Sequence, residues 1–303
     1  MTEIMRQGTN SMLVIGTLKD LEVNEGVKDG VKSISLVATV TSKVKDKVHE
    51  NKISFYAKES SKLYKGYKTM QEEYKAGKDR IQITCSVERN RFKSNGEIIT
   101  ARRIRGIFAS RVEDDSIQDQ VGGILECVPI SIMDEMVDNQ MTGRKIVKVY
   151  SVGYNNKVDE FDLVLEQQLA AQFSQFYPIG CTAEMIVELN RYVKIDEAEK
   201  KRREAAQAQT FFGSQLDTMP DGIVDRWTNE MVIIGGRQPK VAPDAYTNEE
   251  IQEMKRLDEI SLQELKSQSA TPPKGNQTAF GSDPFNGATM QNHTPEENSD
   301  FPF

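Results

Sequence analysis

The chain has 303 residues, 38% of them apolar, and a net charge of −7, which leaves room for two domains of ordinary size and some linker. Three widely spaced cysteines (Cys85, Cys127, Cys181) suit reduced, buried thiols better than a disulfide framework or a zinc site, and two histidines, His49 and His293, are too few for a histidine triad or a multi-histidine metal centre. The opening "MTEIMRQGTN" lacks the apolar core of a signal peptide and no run approaches a membrane span, so the expectation is a soluble, cytoplasmic protein without a cofactor.

The net charge hides a segregation. Residues 1–112 hold 22 Lys and Arg against 13 Asp and Glu; residues 113–241 hold 13 against 22, and residues 242–303 hold 4 against 11. This reads as a basic binding module joined to acidic segments.

Residues 1–112 read as strands around one helix. "SMLVIGTLKDLEV" and "VKSISLVATVTS" are β-rich, alternate in part, and flank the turn "NEGVKDG"; "HENKISFYAKES" follows as a third strand. In "SKLYKGYKTMQEEYKAGK", Leu63, Tyr67, Met70 and Tyr74 recur at helical spacing, and the helix is expected to end near Gly77. "DRIQITCSVERNRF" and "EIITARRIRGIFASRV" form a last pair across "KSNG". Three strands, a helix and two strands is the order of an OB-fold, a small Greek-key barrel with its helix between the third and fourth strands.

Residues 123–241 repeat that order with little identity. "ILECVPISIM", "RKIVKVYSVGYN" and "EFDLVLEQQ" are strand-like, "LAAQFSQFYPIG" is a short helix, and "TAEMIVELNRYVKI" is a fourth strand. The fifth, "RWTNEMVIIGGRQP", follows a charged insertion at 195–225. Residues 242–266 contain an amphipathic helix opened by a capping box, Thr247 and Glu250. The stretch 267–303 is too polar to offset its ordering entropy and reads as a disordered linker ending in "NSDFPF". The fold class expected is therefore mainly β: two five-stranded OB-like barrels in tandem, a helix and a tail.

No catalytic constellation is present: no phosphate-binding loop, no Gly-x-Ser-x-Gly, no Cys-x-x-Cys, and carboxylates that are plentiful but scattered. Binding chemistry is better represented. Single-stranded nucleic acid is held by a basic groove that follows phosphates and by aromatic faces that stack bases. The first module interleaves both kinds of residue: Lys52, Phe55, Tyr56 and Lys58 on the third strand, Arg89, Arg91, Phe92 and Lys93 late in the fourth, and Arg102, Arg103 and Arg105 on the fifth. Strand neighbours point to opposite faces, so one of Phe55 and Tyr56 is core and the other faces out, and Arg102 and Arg103 cannot serve one groove together. The second module offers Tyr154, Arg191, Tyr192, Arg226 and Trp227. Its insertion carries Lys200, Lys201, Arg202 and Arg203, either on a solvated helix or on an arm that grips a phosphate backbone.

These features resemble the bacterial single-stranded DNA-binding proteins. The likeness rests on "SMLVIGTL", "ISFYAKES", "YKAGKDRIQITCSVERNRF" with its Gly96 turn, and a tail ending in Asp300, Phe301, Pro302 and Phe303 behind Glu296 and Glu297. The resemblance implies a protein without catalytic activity that coats single-stranded DNA in replication, recombination or repair. It also implies that the tail tip, Asp300 to Phe303, docks partner proteins. This chain departs from the family in holding two OB-like modules and in lacking tryptophan from the first, so it would act as a dimer or a monomer. A duplicated, divergent version fits a phage or mobile-element protein. Two other readings stay open: an RNA-binding OB protein, and a protein–protein adaptor of the replication machinery.

Overall fold

The computed structural model of the chain describes residues 5–28, 30–94, 96–137, 139–194 and 227–267. The first module contains β1 (Asn10–Lys28), β2 (Val31–Val44), β3 (Lys47–Lys58), α1 (Leu63–Glu73), β4 (Arg80–Ser94) and β5 (Glu97–Arg111). The second contains β6 (Gln120–Val137), β7 (Gln140–Val152), β8 (Val158–Leu165), α2 (Gln167–Phe176), β9 (Ala183–Val193) and β10 (Trp227–Gly236); α3 (Asn248–Ser267) follows.

Strict alternation makes the first barrel. Ile34, Leu36, Ala38 and Val40 of β2 and Ile81, Ile83, Cys85 and Val87 of β4 are all fully buried, while the residues between them lie on the other face. The strands run β2-β3-β5-β4-β1, and β1 pairs back onto β2 to close the barrel. Every ladder is antiparallel except β3 with β5. The second barrel repeats this order as β7-β8-β10-β9-β6, closed by β6 on β7, with β8 and β10 as its parallel pair. Both are OB-like barrels in strand order and in the position of the helix, so the expected fold class holds.

Each helix plugs its own barrel. Tyr67 of α1 meets the Phe55 ring edge-on at 5.2 Å and donates its hydroxyl to the Ile107 carbonyl at 3.2 Å. Phe55 lies so close to β5 that a Cβ at Gly106 would collide with its ring, which explains the glycine. Phe173 and Tyr177 fill the matching place in the second barrel. Cys85 and Cys127 are buried free thiols, and burial pushes Cys85 up to about 12.

The barrels share one sheet, because β1 pairs with β6 from Asn10↔Leu125 to Ile15↔Gln120. A Cβ at Gly123 would strike the Ser11 carbonyl, so the "GG" of β6 permits the close approach. The Asn10 amide donates to the Val87 carbonyl at 2.7 Å and accepts from the Val87 N–H at 3.0 Å, satisfying the β4 edge that β1 leaves. Helix α3 lies across the joint. Met254 packs with Tyr150, Val152 and Val158 of the second barrel, and Asp258 bridges Arg89 (2.5 Å) and Arg91 (2.8 Å) of the first. Its capping box is formed as the sequence predicts: the Thr247 N–H donates to Glu250 Oε2 at 2.7 Å and the Glu250 N–H to Thr247 Oγ1 at 3.2 Å.

Candidate nucleic-acid interface

The outward residues of β3 alternate with its core residues, so Glu50, Lys52, Ser54, Tyr56 and Lys58 form one row. Tyr56 stands opposite Ser35 of β2 and is 38% exposed; Lys52 stands opposite Thr39, and Lys58 opposite Ser33. On the other side, β5 runs parallel with Ser54 beside Arg105. Arg103 Nε donates to Ser54 Oγ at 2.7 Å, and that hydroxyl donates to the Ile104 carbonyl at 3.2 Å, which fixes the guanidinium against β3. Arg105 is exposed and pairs with Glu88 at 3.3 Å. The outer face of β2, β3 and β5 thus carries four cations, Lys52, Lys58, Arg103 and Arg105, around one exposed tyrosine. The strand 2–3 face is where OB-folds as a class bind oligonucleotides.

Phe108 completes this face, and reading the sequence missed it. Its parity with Ile104 and Gly106 would send it inward, but the register of β4 and β5 shifts between Thr84 and Cys85. Phe108 then stands opposite Thr84 and is 63% exposed. The one signal in "RRIRGIFASR" is Gly106, next to the extra residue, since an isolated glycine inside a strand suggests a bulge or a close approach.

Three expected contacts are corrected. Phe55 is 1% exposed and belongs to the barrel core, so no base can stack on it. Arg89 and Arg91 are turned into the joint: both pair with Asp258, and Arg89 Nη2 also donates to the Val158 carbonyl at 2.9 Å. Two buried arginines on one carboxylate are structural cations, not phosphate contacts. Phe92 and Lys93 lie half-buried toward the tip of the β4–β5 hairpin, opposite Ile99 and Ile98 respectively. Arg102 faces away from Arg103, as alternation requires, and its Nη2 donates to Asn229 Oδ1 at 2.5 Å.

Among the second-module candidates, Tyr154 is exposed on a one-turn 3-10 segment between β7 and β8. Arg191, Tyr192 and Trp227 come together beside β3. Lys47 Nζ lies 4.3 Å from the Tyr192 ring centre and donates to its hydroxyl at 2.9 Å, while the Arg191 guanidinium lies 4.7 Å from the Trp227 ring centre. The basic run Lys200, Lys201, Arg202 and Arg203, Arg226, and the tip Asp300, Phe301, Pro302 and Phe303 lie outside the described residues. Among the described residues no cluster of metal-ligating side chains occurs, and no helix is long and apolar enough to cross a membrane.

Fold and face together define a tandem OB-like protein with a basic, aromatic-bearing strand face. The chain belongs to the YorF family, whose profile matches residues 9–268. Among solved structures it is similar to the wild-type single-stranded DNA binding protein from Thermus aquaticus, with 12% identity over 80% of this chain and 99% of that one and a TM-score of 0.48. A deletion mutant of that same Thermus aquaticus protein gives 12% identity over 79% and 100% of the two chains, with a TM-score of 0.48. No curated protein matches the chain.

Proposed function

We propose that this protein binds single-stranded DNA along the outer face of β2, β3 and β5, without catalysis. The observation that carries this reading is the row of Lys52, Tyr56 and Lys58 on β3 beside Arg103, Arg105 and Phe108 on β5. The cations neutralise phosphates and the two exposed rings stack bases, each stack worth about 1–3 kcal/mol. Stacking accepts any base, so sequence preference is slight. The protein coats single strands in replication, recombination or repair in the cytoplasm of its cell, a bacterial host where the gene is carried by a phage, and Asp300 to Phe303 recruit partner proteins. The N-terminal module, residues 1–112, is the main DNA-binding part, and the chain works as a monomer or a homodimer.

Fluorescence anisotropy of labelled oligo(dT), oligo(U) and duplex DNA of equal length tests this. Oligo(dT) is expected to bind well above duplex. Preference for oligo(U) favours the RNA reading, and absence of binding to any strand at low salt leaves only the adaptor reading.

A further inference from the structure

The outward row of β3 runs into the cleft between the two barrels. Arg191 of β9 donates from Nη1 to the Glu50 carbonyl at 2.7 Å, two residues along the same strand from Lys52. From Glu50 to Lys58 the row spans about 27 Å, long enough for several nucleotides. Past its inner end side chains from both barrels meet: Arg102, which leaves β5 on the side opposite Arg103, Arg191 from β9, and Asn229 and Trp227 from β10.

Two properties of this cluster point to a ligand. The first is the state of Trp227. It opens β10 opposite Val193, remains 42% exposed, and has the Arg191 guanidinium over its ring. A large aromatic left this open, with a cation already held against it, is a platform with area to spare for a second flat group. The second is charge. Arg102 donates to Asn229, which stands directly opposite Arg191, so the two guanidinium groups are neighbours. Partial burial, then the Arg191 charge, push Arg102 down to about 10 against the opposing charge of Glu230. Two carboxylates reach the pair but are shared: Glu50 lies 3.9 Å from Arg191 while holding Lys19 at 2.6 Å, and Glu230, whose charge acts on Arg102, holds Arg144 at 3.1 Å. An anion between Arg102 and Arg191 would relieve their repulsion.

We infer that a bound single strand crosses from β3 into this cleft, where one base stacks at Trp227 and a phosphate lies between Arg102 and Arg191. The inference rests on the single-stranded DNA reading and extends it to a site built by both barrels. The acidic second barrel then contributes through this edge.

Trp227 is the chain's single tryptophan, so its emission reports on this cleft alone. The full chain is titrated with oligo(dT) in two parallel measurements: anisotropy of a fluorescein-labelled strand, and tryptophan emission with an unlabelled one. The expected result is quenching of Trp227 with the same midpoint as the anisotropy rise. Trp227→Ala is expected to lower affinity roughly 5- to 150-fold, and Trp227→Phe to retain most of it. An anisotropy rise with unchanged tryptophan emission overturns the cleft site and leaves the β3 face standing. No anisotropy rise overturns both. The wild-type quenching experiment needs no variant, so poor folding of Trp227→Ala would not blunt the test.

Discussion

Adjacent side chains on β3 have separate tasks. Phe55 lies inside the first barrel against Tyr67 and Gly106, and Tyr56 points outward between Lys52 and Lys58. Phe55→Ala is expected to destabilise by about 3–5 kcal/mol, since it empties a full ring from a closed core; a shift in urea midpoint checks this. Tyr56→Ala is expected to leave that midpoint within about 0.5 kcal/mol while weakening oligo(dT) binding, read by anisotropy. The alternation that separates the two was legible in "ISFYAK", but which of them faced in was not, because inward and outward faces both take aromatics. His49 makes a different residue-scale case. It is buried opposite Ser42 and beside Tyr192, and neither ring nitrogen has a hydrogen-bond partner among the described residues. Burial lowers its pKa, with Lys47 and Lys45 adding to the shift and Glu188 opposing it. A base whose folded pKa lies below its unfolded value costs no stability above about pH 6.5. As pH falls through that value the unfolded chain takes up the proton first, so stability declines. Urea midpoints between pH 8 and pH 5 should fall more steeply for the wild type than for His49→Gln, and equal slopes would refute this account of the joint.

At the scale of elements, α3 acts as a strap. It carries apolar contacts to the second barrel and, through Asp258, a buried double ion pair to β4 of the first. Removing one partner of a buried pair costs about 3–5 kcal/mol, because the partners left behind are charged and desolvated. Asp258→Ala should show that loss in chemical denaturation, and a cost below about 1 kcal/mol would mean that Asp258 does not hold the strap. The helix itself was legible in the sequence, since its capping box and apolar spacing are local. Its ion pair was not: Arg91 and Asp258 are 167 positions apart, and an arginine beside an aromatic reads as a phosphate contact until its partner is seen. The bulge that exposes Phe108 was half-hidden: Gly106 beside it is a signal, but a glycine in a strand marks a close approach, here to the Phe55 ring, as readily as a bulge.

For the whole molecule, strand order and helix position were legible because each barrel is specified by local alternation and short turns. The joint was not: Gly123 of β6 is needed where β1 comes close, but two glycines at the start of a strand do not say which strand will approach. The described residues form one compact unit, so the barrels are expected to unfold together in a single transition. Two separated calorimetric peaks would contradict that. Of the first module's basic residues, Lys52, Lys58, Arg103 and Arg105 stand on the proposed binding face, and this fixes the most direct test of the account. Affinity for oligo(dT) is measured by anisotropy across a series of salt concentrations, with the full chain. Four cations, Lys52, Lys58, Arg103 and Arg105, predict log K falling against log salt with a slope of about −3 for a single strand, made shallower by nearly one for Lys58→Gln or Arg105→Gln. A slope near zero, or a slope that neither substitution changes, would contradict binding along this face.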